Sequence, residues 1–443
     1  MHATTPASRV STPSSAPALS VPQTSHHPLA WVFFAAVLLV TPQIFNSGLS
    51  MTMLSQMGIA IIACLSYNML LGQGGMLSFG HAVYSGLGAF VAIHALNLWT
   101  TGPTPLPVSL VPLVGGLAGM GFAVLLGYVT TRKSGTTFGM ITLGMGELVF
   151  AMSLMIPEFF GGEGGVSGNR VVGEPFLGIT FGPAIQVYYL IALYTLVCVA
   201  LMYAFTLTPL GRMLNAVRDN PERVEFIGYN PVRVRYTAFV IAGFFAGIAG
   251  GLGALNFEIV NAEVVGAARS GAYLLFTFLG GATFFFGPII GAVLMVLAFV
   301  LLSEFTKAWL LYLGLIFLLM VMYAPGGIAS LVMMNLRVAR FKMLGRLLPL
   351  YAGLLVTGLV ALLGLGAIVE MVYHRQLNAA MGGELAFMGL ALDATSAGSW
   401  LLAAGLLLAG GAPFEWLRRR FARQWHDIQE RIEKTLSAQG GQP

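Results

Sequence analysis

The stretch AIQVYYLIALYTLVCVALMYAFTL, residues 184–207, decides the fold of this chain. It contains no Asp, Glu, Lys or Arg, and a helix of this length spans the hydrocarbon core of a bilayer. Over the full 443 residues, 57% are hydrophobic and 9% are charged, which is too few charges for a water-facing surface. The apolar runs also lack the alternation of a membrane barrel. The sequence therefore predicts an all-α polytopic integral membrane protein.

Apolar runs of about 20 residues recur along the chain. Seven are uninterrupted, at 30–48, 51–71, 78–98, 105–129, 138–157, 184–207 and 236–257. The run 272–303 is too long for one span and is broken by glycines, so we interpret it as two short or re-entrant helices. With 308–324 this gives about ten core spans, and the C-terminal extension adds one or two, at 347–371 and 399–413.

Composition divides the chain into four regions. Residues 1–29, rich in Ser, Thr, Pro and Ala, predict a disordered tail, and the core follows at 30–335. The extension comprises 336–413, and a charged tail comprises 414–443. Arg and Lys cluster in alternate loops, at 132–133, 212–235, 337–346 and 418–420. Because positive loops stay in the cytoplasm, we expect both termini on the cytoplasmic side of a bacterial inner membrane.

The sequence holds no motif for catalysis or nucleotide binding. GxxxxGK[ST], HExxH and GxSxG are absent, and His and carboxylates are not clustered. We therefore expect neither an enzyme nor a bound cofactor or metal, and Cys64 and Cys198 lack metal or disulfide spacing. The net charge of +5 reflects membrane orientation rather than nucleic-acid binding. Active transport would draw on an ion gradient or on a separate ATPase.

Few ionisable residues lie within the predicted spans, which disfavours an ion-coupled transporter. Glu147 either lines a pathway or makes a structural hydrogen bond, and His81 either lines a pathway or packs between helices. GGMLSFG at 74–80 and GGATFFFG at 280–287 form a faint repeat, and paired glycine-rich breaks are typical of transporter pathways. Chance recurrence is the alternative. The candidate pathway residues are Gly74, Gly75, Ser78, His81, Glu147, Gly280 and Gly281.

The loop TPLGRMLNAVRDNPERVEFIGYNPVRVR, residues 208–235, has the composition of a docking surface. It mixes five arginines with Asp219, Glu222 and Glu225. Apolar residues at helical spacing predict one short helix, and Asp219, Asn220 and Pro221 predict the start of a second. Two amphipathic helices would suit a groove on a partner protein, so that movement of the partner passes to the flanking spans.

Four segments, in order, resemble the permease subunits of branched-chain amino acid ABC importers. They are LSYNMLLGQGGMLSFGHAVYSGLGAF at 65–90, GRMLNAVRDNPERVEFIGYNPVRVRYTAFVIAGFFAGIAGGLGAL at 211–255, FLGGATFFFGPIIGAVL at 278–294 and YAPGGIASL at 323–331. The resemblance covers residues 30–335. It implies that the loop contacts an ATP-binding subunit, through Gly211, Arg212, Ala216, Arg218, Asp219 and Gly228.

The same resemblance implies partners and a substrate class. The partners are two ATP-binding subunits, a second related permease and a periplasmic solute-binding protein, which residues 161–170 would face unless they form a plain flexible loop. ATP would be hydrolysed by the partners. Branched-chain or related amino acids are implied as substrate, with urea, short amides or other small carboxylates as alternatives. A self-sufficient secondary transporter or channel is the competing class.

The extension departs from the compact family pattern. In its tail, Leu417, Phe421, Trp425, Ile428, Ile432 and Leu436 repeat at spacings of four and three, with arginines between them. This pattern predicts an amphipathic helix, lying on anionic lipid or binding a partner.

Overall fold

A computed structural model describes residues 28–101, 107–171, 180–306, 308–341, 343–377, 383–387 and 390–440. The first helices are α1 (Pro28–Ile44), α2 (Gly48–Asn68, continued by a π turn at Met69–Gln73), α3 (Ala82–Thr101), α4 (Val111–Thr130, preceded by a 3-10 turn at Val108–Leu110), α5 (Gly135–Met155) and α6 (Pro157–Phe160). Strand β1 (Val166–Ser167) precedes α7 (Ala184–Leu207), α8 (Pro209–Asp219), α9 (Pro221–Phe226) and α10 (Pro231–Phe257). The predicted disordered tail falls almost wholly on residues outside this description.

The second half of the chain begins with strand β2 (Ile259–Val260). It continues with α11 (Ala267–Gly280), α12 (Gly287–Leu297, continued by a π turn at Ala298–Leu302), α13 (Ser303–Phe305), α14 (Trp309–Tyr323) and α15 (Gly327–Arg340). The extension comprises α16 (Leu344–Leu377), strands β3 (Glu384–Phe387) and β4 (Leu390–Asp393), and α17 (Ala397–Gly440).

Long apolar helices dominate the described part of the chain. Eight of them are long and apolar enough to cross a bilayer, and α14 with α15 forms a further candidate bent by 49°. Two shorter apolar helices, at Pro28–Ile44 and Gly287–Leu302, add to these. The prediction of an all-α polytopic membrane protein is confirmed.

The prediction of two helices in 272–303 is also confirmed. α11 and α12 form a tight hairpin, and the chain between them turns at Gly281–Phe286. A methyl group on Gly280 would overlap the Gly287 carbonyl oxygen, and one on Gly291 would overlap that of Phe276. Only glycine allows the two helices to approach so closely. α11 begins at Ala267, five residues before the predicted apolar run.

The bundle is centred on α10, which packs against α3 and α4. Their contact faces carry glycine, because a methyl group on Gly247 would overlap the Gly115 carbonyl oxygen. One on Gly88 would lie 2.7 Å from the Gly247 Cα. The side chains around this contact, including those of Phe239 and Ile248, are buried. Backbone contact at glycine is a typical means of association for membrane helices.

Residues 161–170, for which a flexible loop was one alternative, form defined structure at one end of the bundle. Val166 and Ser167 of β1 pair with Val260 and Ile259 of β2. The Arg170 guanidinium donates to the carbonyl oxygens of Phe181, Leu255 and Asn256, and lies 3.8 Å from the Glu258 carboxylate. Arg170 thereby fastens this segment to the end of α10.

The C-terminal extension is a helical hairpin of α16 and α17, with the β3–β4 pair at its tip. The boundary predicted between 413 and 414 does not interrupt the structure, because α17 runs through Pro413 as one helix. Leu417, Phe421 and Ile428 pack on α16 and α15, so this part of the predicted amphipathic face is covered by the chain itself. The side chains of Ile432 and Leu436 lie outside the described residues.

We expect Gly247→Ala to destabilise the bundle by about 1–3 kcal/mol, because the added methyl group must push the α4 backbone away. Gly253→Ala in the same helix is the matched control, since nothing lies within 4 Å of a methyl group there. The control should be neutral, or stabilising by up to about 1 kcal/mol through helix propensity. Thermal unfolding of both variants in detergent measures the difference, and equal midpoints would contradict the proposed backbone contact.

Candidate functional site: a docking segment joined to a helix break

The segment between α7 and α10 forms the two short helices predicted from sequence. The Thr208 hydroxyl accepts a hydrogen bond from the Gly211 amide and caps α8, and Pro209 occupies the first turn. The Asn220 side chain accepts from the Arg223 amide at 2.9 Å and caps α9, followed by Pro221. Both starts combine a polar cap with proline, the usual helix-initiating pair.

One side of this docking segment packs on the bundle. Gly211, Leu214, Val217 and Val224 are buried, and Ala216 is half-buried. A methyl group on Gly211 would overlap the Phe205 carbonyl oxygen, so glycine is required where α7 turns into α8. Of the predicted docking residues, Gly211 therefore serves the internal packing of the chain and presents no surface to a partner.

The opposite side of the segment is exposed, and it carries a patch that sequence reasoning missed. The Phe226 side chain is 90% exposed, with Ile227 at 62% and Tyr229 at 52%. The predicted residues Arg212, Arg218, Asp219 and Gly228 are exposed as well. We define the docking surface as Arg212, Asp219, Phe226, Ile227 and Tyr229. The sequence did contain a signal for this patch, namely three bulky apolar residues around Gly228 in an otherwise charged loop.

Arg218 joins the docking segment to the glycine-rich segment after α2. Its guanidinium donates to the Gly72 carbonyl oxygen, and its Nε donates to Asp219 Oδ1 at 3.0 Å. Gly75 has a φ of +62°, and a methyl group there would lie 2.8 Å from Arg218 Cγ. One on Gly74 would lie 3.2 Å from Leu214 of α8. Two predicted sites, the docking loop and the glycine-rich segment, are therefore in direct contact.

The glycine-rich segment is a break between two membrane helices. α2 ends in a π turn at Met69–Gln73, and α3 begins only at Ala82, whereas the sequence predicted a span from residue 78. Side chains satisfy the freed backbone groups: the Tyr67 hydroxyl donates to the Ser78 carbonyl oxygen, and the Phe79 and Ala82 amides donate to Thr142 and Ser270. Irregular backbone at membrane depth requires such partners.

The break also concentrates buried polar atoms that lack a partner. His81 is fully buried, and its Nε2 lies 2.9 Å from the Ser66 hydroxyl, while its Nδ1 has no partner. In the same segment, Asn68 Oδ1, Gln73 Oε1 and Ser78 Oγ share this condition, and elsewhere in the described residues Arg235 Nε does. Buried polar groups are otherwise almost always hydrogen-bonded. The residues 68–81, hereafter the break, therefore have unused capacity for water or a polar solute.

The second glycine motif meets the break. A methyl group on Gly72 would overlap the Ala282 carbonyl oxygen, and Gly281, at a φ of +114°, packs against Gly326. Gly280 closes the hairpin of α11 and α12. Six of the seven predicted pathway residues, all but Glu147, thus belong to one continuous region.

Glu147 lies elsewhere. Its side chain is exposed on the outer face of α5, together with Met140, Leu143, Gly144 and Leu148 at helical spacing. It has no hydrogen bond or ion pair to any other residue that the structure describes. Glu147 therefore neither joins the break nor makes the structural hydrogen bond that was the alternative within this chain.

Two adjoining cavities lie between α2, α3, α10, α11 and α12, beside β2 and away from the docking segment. Their cavity volumes are about 70 and 60 Å³. Both are lined by Ile59, Phe257, Tyr273 and the only charged residue in either lining, Arg269. Sequence reasoning missed Arg269, which precedes the apolar run counted from residue 272.

Comparison with known proteins places these features in a family. Residues 49–324, more than half of the chain, match the family described as branched-chain amino acid transport system, permease component. The LivM permease protein of a high-affinity branched-chain amino acid transport system is 30% identical in Salmonella typhimurium and 28% in Escherichia coli. Each alignment covers 296 residues, 61% of this chain and 67% of the relative.

A sugar permease is a more distant relative. The fructose import permease protein FrcC of Rhizobium meliloti is 27% identical over 200 residues, covering 42% of this chain and 54% of that protein. No solved structure matches the chain.

We expect Gly75→Ala to loosen the docking segment, because the methyl group would displace Arg218 from the break. Gly135→Ala is the control: Gly135 also has a positive φ, at +63°, but nothing lies within 4 Å of its methyl position. Both changes carry the left-handed backbone cost of about 1–2 kcal/mol. Only Gly75→Ala should speed tryptic cleavage after Arg218 and Arg223, and equal cleavage rates in the two variants would contradict the contact.

Proposed function

The chain belongs to the family of branched-chain amino acid transport system permease components, and we propose that it forms half of the pathway of an ATP-driven importer for branched-chain or related amino acids. The observation that carries this proposal is the contact between the docking segment and the break. It supplies a physical route from an ATP-binding partner to the interior of the bundle.

The docking surface has the chemistry of a protein interface. Phe226, Ile227 and Tyr229 offer an apolar centre, and Arg212 and Asp219 offer a charged rim. Aromatic anchors surrounded by polar residues carry most of the binding energy in such interfaces. We assign this surface to an ATP-binding subunit, one of two in the assembly, because the chain has no nucleotide-binding motif of its own.

Movement of that subunit would reach the break through α8. The helix is short and capped, so it transmits displacement as a rigid body. Arg218 is bonded at one end to Asp219 and at the other to the Gly72 carbonyl oxygen. A shift of α8 therefore pulls on the π turn, where glycine and unpaired polar groups allow the backbone to rearrange. This would alternate access to the pathway.

A second permease would cover the outer face of α5. An isolated carboxylate facing lipid at mid-helix costs about 2.5–3.5 kcal/mol, so Glu147 needs a protein neighbour. Gly144 lies one turn away on the same face, with open space around it, and small residues are typical of helix interfaces in membranes. We assign this face to the related permease that completes the pathway.

The relatives support the proposed substrate class, and the charges of the loops support the proposed membrane orientation. Two similar proteins are named for branched-chain amino acids and one for fructose. We place the chain in a bacterial inner membrane with both termini cytoplasmic. The end of the bundle formed by β1, β2 and Arg170 then faces the periplasm, where a solute-binding protein would deliver the substrate.

We expect Phe226→Ser to weaken retention of the ATP-binding subunit by about 2 kcal/mol, or roughly thirty-fold in dissociation constant. Leu401→Ser is the control, because Leu401 is 74% exposed on α17 and lies outside the docking surface. The measurement is co-purification of the tagged chain from mild detergent, followed by an ATPase assay with and without amino acids. A wild-type chain that transports alone in liposomes would overturn the proposed function.

We expect Gly144→Trp to prevent assembly with the second permease while leaving the separate chain folded, because the indole enters open space. Leu362→Trp is the control, on an exposed face of α16. Size-exclusion chromatography of the co-expressed permeases distinguishes the two variants. Normal assembly of the Gly144→Trp variant would show that α5 does not contact the second permease.

A further inference from the structure

The two cavities form one groove around Arg269. Both share Arg269, Tyr273, Phe257 and Ile59, and the remaining lining is mainly apolar, from α2, α3, α10 and α12. Besides Arg269, polar groups in the lining come from Gln56, Ser85 and Tyr273. A mostly apolar groove with a few polar groups and a single charge is the usual form of a small-molecule site.

The Arg269 guanidinium has no counter-charge. It is half-buried, and it makes no hydrogen bond or ion pair to another residue within the described ranges. The lining of the groove includes no Asp or Glu. An arginine in apolar surroundings normally pairs with a carboxylate or lines a water-filled passage, because its burial is otherwise costly.

The backbone around Arg269 adds to the positive electrostatic potential in the groove. Arg269 lies in the first turn of α11, and no side chain caps that helix start. Uncapped amides at a helix start and the helix dipole both favour an anion. A planar guanidinium with five donors then matches a carboxylate in a bidentate arrangement.

The groove also adjoins the break. Ser270, the next residue after Arg269, accepts a hydrogen bond from the Ala82 amide at 3.0 Å, where the break ends and α3 begins. Ser85 and Gly86 of α3 line the groove itself. A solute held at Arg269 would therefore lie beside the end of the break from which α3 begins.

We propose that this groove binds the solute in transit, with Arg269 holding the carboxylate of a small amphipathic molecule of the α-amino acid class. The apolar walls accept a compact hydrocarbon side chain, and the oxygens of Gln56 and Tyr273 are available to an ammonium group. The proposal rests on the proposed transport function and adds the residue that recognises the substrate. A neutral sugar could not form an ion pair with Arg269.

The first experiment tests the charge of the groove without requiring transport. A Gln56→Cys variant of the full chain in liposomes is labelled with an anionic and a cationic methanethiosulfonate, and the two native cysteines are buried. Adding Arg269→Gln should lower the ratio of anionic to cationic labelling rates by about fivefold or more. Adding Arg375→Gln, an exposed arginine at the end of α16, should not change it. An unchanged ratio with Arg269→Gln would overturn the proposal.

The second experiment measures recognition in the assembled importer. Competition for uptake is compared for three compounds. Leucine should compete, and leucinamide, which has no carboxylate, should compete at least tenfold less well. 4-Methylpentanoate has no ammonium group, so it separates a general carboxylate site from one that also needs the ammonium group. Arg269→Gln should raise the KM for leucine about tenfold and abolish the preference for leucine over leucinamide. Arg269→Lys keeps the charge and should retain part of the preference, which provides a readout if Arg269→Gln fails to insert.

The outcomes separate the two proposals. If the wild-type assembly moves no amino acid, the proposed function fails, and the labelling ratio still decides whether the groove favours anions. If transport is normal and Arg269→Gln retains the preference for leucine, the proposed function stands and Arg269 does not hold the carboxylate.

Discussion

Close approach of helix backbones, possible only at glycine, is the constraint on which this structure depends. At the centre of the bundle Gly88, Gly115 and Gly247 bring α3, α4 and α10 together. At the break, Gly72 lies on Ala282, and Gly280 lies on Gly287. Membrane helices gain little from excluding water, so they associate through close packing and hydrogen bonds. The same residue type therefore provides both the rigid centre and the places where the backbone leaves the helical path.

Three regions of different chemistry follow one another along the bundle. The docking surface is apolar and charged, the break is polar and incompletely hydrogen-bonded, and the groove is apolar with one cation. Arg218 links the first to the second, and Ser270 links the second to the third. In each link a side chain is hydrogen-bonded to a backbone group of the break or of α3. Each link therefore depends on the position of that backbone, whichever side chain the backbone residue carries.

Much of the architecture could be predicted from the sequence because it depends on local properties. The uncharged run 184–207 coincides with α7, and Asn220 and Pro221 start α9 as their chemistry requires. Properties that depend on packing could not be predicted. Glu147 faces outward because α5 turns the side that carries Phe138 and Thr142 toward the bundle, where both are buried. Gly211 was assigned to a partner, but it lies against its own chain. Arg269 was missed because α11 begins at Ala267, before the apolar run predicted from residue 272. Phe226 was missed because the sequence of a loop does not show which of its side chains are exposed.

The continuity of α17 carries its C-terminal end beyond the hairpin that it forms with α16. Ile428 packs beside Leu347, close to the first residue of α16, and α17 continues for 12 residues from 429 to 440. At about 1.5 Å per residue these rise about 18 Å past the start of α16. A spectroscopic label near Gly440 would therefore report on a helix end that projects about 18 Å beyond the hairpin.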